Sequence, residues 1–123
     1  MAVSEHFSEE ELACRCGCGV NGVRPEFIAF LEEVREHLGR PMIINSAYRC
    51  PRHDSSPAIG GKGNHPQGLA VDLRCGDMRY RLQLVSSLIA CGCRRIEIAE
   101  RYVHADLVRD RPEGMWLHPD LIK

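Results

Sequence analysis

The 123-residue chain reads as an α+β fold, with a small antiparallel sheet flanked by helices. Three observations predict this. Two stretches, from Pro25 to Leu38 and from Arg79 to Ala90, carry apolar residues at steps of three and four. Three others, Met42 to Tyr48, Gly68 to Arg74 and Arg94 to Val108, are short, β-rich and partly alternating. Segments rich in glycine or proline separate them.

The elements follow in order. Ser8 stands three residues before Glu11, the capping-box spacing, with Phe7 and Leu12 placed to staple the first turn, so a short helix starts near Ser8. Cys14 to Gly22 holds three glycines in nine residues and no apolar period, which predicts a tight irregular loop. Pro25 suits a first helical position, and Phe27, Ile28, Phe30, Leu31, Val34 and Leu38 recur until Gly39 stops the pattern. Arg52 to Asn64, with one proline and three glycines, is a long loop, a kind that often carries function. Leu82, Leu84, Val85, Leu88 and Ile89 define the second core helix. The last β-rich stretch reads as two short strands around a tight turn at Glu100-Arg101.

A chain of this length can bury roughly two-thirds of its unfolded surface, so one stand-alone domain over residues 1–123, acting as a monomer, is expected. With 16 basic against 17 acidic residues, nothing draws it to phosphate backbones, and nucleic acid is excluded as a first expectation. No segment approaches the roughly 18 apolar residues of a membrane span, and no basic start followed by an apolar run marks a signal peptide. The expectation is a protein cytoplasmic as synthesised, with no membrane partner. Seven cysteines, an odd count, argue against a complete disulfide framework and for free thiols or metal ligands.

His65 and Asp72 flank a glycine-containing stretch, and His104 falls on a late strand, so separate elements supply two imidazoles and one carboxylate. Zinc in hydrolases commonly takes three such ligands and leaves a fourth position for water, whose pKa falls to about 7. Composition alone does not single these residues out among six histidines. The spacing does. His65-Pro66-Gln67-Gly68-Leu69-Ala70-Val71-Asp72 reads as H-x-x-G-x-A-x-D, and His104-Ala105-Asp106 follows.

These motifs resemble the D-Ala-D-Ala carboxypeptidase family of zinc peptidases, which includes carboxypeptidases and cell-wall endopeptidases, and its small phage-type branch in particular. Phe7-Ser8 with Cys14 to Gly19 is similar to that branch's N-terminal element, Asn45 to Pro51 to its S-G-Y-R-C-P segment, and Arg95 to Ile98 to its final hairpin. The resemblance implies a single hedgehog/D-Ala-D-Ala-peptidase-like domain that holds zinc through His65, Asp72 and His104 and cleaves peptidoglycan stem peptides. It also implies a substrate-binding role for Arg49, whose guanidinium can pair with both oxygens of a peptide carboxylate; the alternative for Arg49 is a surface ion pair. Gly68 and Ala70 are expected to let the backbone turn close to the metal.

The chain departs from the family pattern where several members carry an acid three positions before the last histidine, because Arg101 stands there. A two-residue turn at Glu100-Arg101 would pair 98 with 103 and 97 with 104, placing Glu97 opposite His104. Side chains so opposed are about 4.5–5.5 Å apart at Cβ, which makes Glu97 the candidate general base. Related members carry glycine there, so Glu97 is alternatively a substitution that blocks or retunes the site. Asp106 shares the face of His104 and opposes Arg95 in the same register; it forms an ion pair or orients the ligand imidazole.

Cys14, Cys16 and Cys18 with a fourth thiol could close a second zinc site, but packing is the preferred reading, and serine there should leave the catalytic zinc in place. Two other functions compete with the peptidase: a non-catalytic zinc module on the same fold, and a thiol-rich metal-binding protein.

Overall fold

The computed structural model describes residues 2–14, 21–49 and 67–121. Its first helix, α1 (Glu9–Leu12), begins as the capping box requires: the Ser8 hydroxyl accepts from the Glu11 N–H at 3.2 Å, and the Glu11 carboxylate accepts from the Ser8 N–H at 2.9 Å. Phe7 and Leu12 are both buried. Helix α2 (Pro25–Leu38) has proline in its first turn and ends at Gly39, whose φ of 69° is the left-handed cap conformation that glycine adopts without steric cost. Its inward stripe is Phe27, Phe30, Leu31 and Val34.

Strand β1 (Ile44–Ser46) is shorter than the expected run from 42 to 48, and β2 (Ala70–Arg74) begins two residues later than expected. Helix α3 (Met78–Ala90) starts one residue earlier, because the Asp77 carboxylate caps it by accepting from the N–H groups of Arg79 at 2.7 Å and Tyr80 at 3.2 Å. The His37 ring and the Ser87 hydroxyl, 2.9 Å apart, join α2 to α3. Strands β3 (Arg95–Ile98) and β4 (Tyr102–Asp106) then form the expected hairpin.

A fifth strand, β5 (Gly114–Leu117), is absent from the sequence expectation, and a 3₁₀ turn (Pro119–Leu121) follows it. The sheet order is β1-β2-β4-β3-β5. Every pairing is antiparallel except β3–β5, so the expected antiparallel sheet gains a parallel edge.

Period-two alternation sorts the two faces. Val71, Leu73, Ile96, Val103 and Ala105 join Phe27, Leu31, Val34, Leu84 and Leu88 in one apolar core against the helices. The opposite face receives the polar partners of those residues. No helix among the described residues is long and apolar enough to cross a membrane.

Candidate active site

On the polar face, one row crosses all five strands. Ser46 pairs with Asp72, Asp72 with His104, His104 with Glu97, and Glu97 with Trp116. The register of β3 and β4 is the one a turn at Glu100-Arg101 dictates, with 97 against 104 and 95 against 106. The turn closes with the Ala99 N–H donating to the Tyr102 carbonyl at 3.0 Å.

His104 sits at the centre, buried between two carboxylates. Its Nδ1 is 2.9 Å from Asp72 Oδ1, and its Nε2 is 2.7 Å from Asp106 Oδ2. Burial alone would favour the neutral ring, but the hydrogen bonds and charges of Asp106 and Asp72 outweigh it and push His104 up to about 9. Asp106 is fully buried. Burial raises its carboxyl, while the hydrogen bonds and charges of His104 and Arg95 lower it further, leaving the net pKa below the usual value.

Arg95, also buried, donates from Nε to Asp106 Oδ1 at 2.7 Å and from Nη1 to the Pro112 carbonyl. Asp106 therefore pairs with Arg95 and hydrogen-bonds the His104 ring.

Arg49 reaches the row from beyond β1. Its Nη2 donates to Asp72 Oδ2 at 2.7 Å and its Nε to the Ser46 hydroxyl at 2.9 Å. This ion pair holds the Asp72 oxygen that does not face His104. Arg101, at the position of the family's acid, is exposed in the turn. Tyr102 shares the face of His104 by alternation, and burial, with the Asp72 and Glu97 charges, raises its phenol pKa.

The Trp116 indole N–H donates to Glu97 Oε2 at 2.8 Å. Its ring centroid is 6.4 Å from that of His104, and the Arg95 guanidinium lies over it at 5.0 Å. Sequence reasoning missed Trp116 because β5 was not foreseen; its signal was being the only tryptophan in the chain.

His65 lies outside the described residues, as do Cys16, Cys18, Cys50 and the loop from Arg52 to Asn64. Cys14, Cys75 and Cys93 are buried, as packing residues would be. Gly68 has a φ of +75°. A Cβ there would stand 2.1 Å from the Gly22 carbonyl oxygen. Its small size is thus required by the segment before α2. The Arg24 N–H completes that junction by donating to the Gly68 carbonyl at 2.9 Å.

The arrangement fits a metal. Asp72 Oδ1 and His104 Nδ1 converge, and the other ring nitrogen is hydrogen-bonded to a buried carboxylate, the usual outer partner of a zinc-bound histidine. Among the described residues, Glu5, His6 and Glu32 bring three potential metal donors together, near the surface. There the Ser4 hydroxyl, the His6 N–H and the His6 ring engage Glu32 at 2.5, 2.7 and 2.6 Å, pinning the N-terminal segment to α2.

A histidine and an aspartate thus stand side by side on neighbouring strands of the sheet. The family model described as Peptidase M15 matches residues 5–106, and the chain belongs to this family of zinc metallopeptidases. No match to the chain is found among curated proteins or among solved structures. Strand β5 and Trp116 lie beyond the matched residues.

Proposed function

We propose that the chain is a zinc-dependent peptidase of the small phage-type branch that cleaves peptidoglycan stem peptides, as a carboxypeptidase or endopeptidase. The observation that carries this reading is the buried His104, held at one nitrogen by Asp72 and at the other by Asp106. His65, Asp72 and His104 would hold the zinc. Zinc bound there supplies a Lewis acid for the scissile carbonyl and lowers the pKa of water to about 7.

The remaining work falls to side chains of the sheet. Arg95 keeps Asp106 ionised, Asp106 keeps the proton of His104 on Nε2, and Nδ1 is left to face the metal. Arg49 fixes Asp72 and, with its forked donors, is the group to receive a substrate carboxylate. Glu97 faces His104 across the hairpin and takes the proton from water. One bond from an indole leaves a carboxylate with ample acceptor capacity for that task.

Glu97→Gln keeps size and polarity but removes the base. We expect full zinc content and a rate lower by about 10²- to 10⁴-fold on stem peptides. Elemental analysis together with mass spectrometry of digested peptidoglycan, with and without chelator, checks this. A zinc-loaded parent chain that releases no product would instead identify a non-catalytic zinc module, and a Glu97→Gln chain at parental rate would move the base to Glu100 or Asp106.

A further inference from the structure

The contacts around His104 close into a ring. His104 Nε2 engages Asp106, Asp106 engages Arg95, the Arg95 guanidinium lies over Trp116, and the Trp116 indole donates to Glu97, which is paired across the hairpin with His104. Only Trp116 belongs to β5, outside the residues that match the family. Without it the ring would be open between Arg95 and Glu97.

A glutamate side chain has three rotatable bonds, and on a strand it can swing along the sheet or out to solvent. The indole N–H removes that freedom at one oxygen, Oε2. The parallel register makes this contact a fixed one, because Glu97 and Trp116 are directly paired. The ring of Trp116 is itself fixed on the other side by Arg95, whose two hydrogen bonds leave it little room to move. Reactions that depend on a placed base are sensitive to displacements of about 1 Å.

We propose that Trp116 is a positioning residue that sets the Glu97 carboxylate for its work opposite His104, so that the C-terminal strand completes the active site. This rests on the reading of Glu97 as the base, and it concerns placement alone. Trp116→Phe keeps a ring face for Arg95 but has no N–H to donate.

The test combines a spectroscopic and a kinetic measurement on the zinc-loaded full chain. Because Trp116 is the only tryptophan, the ¹⁵N–¹H spectrum contains one indole resonance. In the parent it should lie downfield and exchange slowly with water; in Glu97→Ala, which removes the acceptor, it should move toward the position of a free indole. Trp116→Phe should lower kcat on a stem peptide by about tenfold or more with KM nearly unchanged, and adding it to Glu97→Gln should cost nothing further.

The proposal is overturned if the indole resonance is the same in parent and Glu97→Ala. It is also overturned if Trp116→Phe keeps the parental kcat while Glu97→Gln has lost it, a result that leaves the base reading standing. A Glu97→Gln chain at parental rate overturns the base reading and the positioning role together. The indole measurement needs no change at Trp116, so it decides the matter even where Trp116→Phe does not fold.

Discussion

Two histidine–carboxylate clusters in this molecule use the same chemical groups in opposite surroundings. His6 and Glu32 sit at the junction of the N-terminal segment and α2, with side chains 33% and 21% exposed; His104 and Asp106 sit inside the sheet at 7% and 0%. Glu5 gives the outer cluster a third donor. In that cluster the carboxylate collects donors from a neighbouring segment and acts as a clasp. In the inner one the imidazole is the shared element, held from both sides, and each carboxylate is held in turn by an arginine. Donor types alone do not separate the two clusters. Burial and the direction of the hydrogen bonds do.

The largest effect should follow His104→Ala. Removing the ring deletes a proposed ligand and takes from Asp72 and Asp106 their common partner, leaving each with its arginine alone and a cavity where the imidazole packed. Zinc content should fall to background and the urea midpoint should drop. One zinc per chain in the variant would remove His104 from the ligand set.

Asp106→Asn is the subtler cut. The amide keeps the shape but leaves the Arg95 charge without its partner and weakens the hold on Nε2, so zinc affinity or turnover should fall by about 10- to 100-fold. Chelator competition measures the first and peptide hydrolysis the second. Parental values in both would reduce Asp106 to a core ion pair.

Acid–base behaviour sharpens the contrast. For the metal-free chain, His104 stands at about 9 when folded, against about 6.5 unfolded. A raised folded pKa gives stability that is fully present below pH 6.5 and is lost as pH rises through 9, here roughly 3 kcal/mol. Zinc must displace that proton, so its affinity should rise up to tenfold per pH unit over the same interval. Denaturation and zinc titration between pH 6.5 and 9 should therefore run in opposite directions. Parallel trends would place the proton elsewhere.

Much of the inner cluster was legible because short-range rules fix it. A two-residue turn determines register, and register alone put Glu97 against His104 and Arg95 against Asp106. The capping box at Ser8 and the glycine after Leu38 are likewise local signals. What escaped depends on distant pairing. Strand β5 is four residues long, mostly exposed and without clean alternation, and its partner β3 lies parallel and well upstream, so nothing within a window around Met115 announces a strand. Gly68 was seen to be necessary, but its partner at Gly22 belongs to a segment that only the fold brings near. The double hold on His104 was visible by halves: alternation gave Asp106 and spacing gave Asp72, while their meeting on opposite ring nitrogens is a product of packing.

The smallest effect is expected at the outer cluster, and it tests whether burial is the right criterion. His6→Ala removes the ring's 2.6 Å contact to Glu32, but the backbone N–H at position 6 and the Ser4 hydroxyl still reach that carboxylate. An exposed pair of this kind is worth within about 1 kcal/mol, and two of its three fastenings survive. Stability should change little, and zinc per chain and stem-peptide turnover should match the parent. If elemental analysis shows that His6→Ala loses one metal ion while His104→Ala keeps one, the exposed cluster is the metal centre and the buried histidine is only a structural pin.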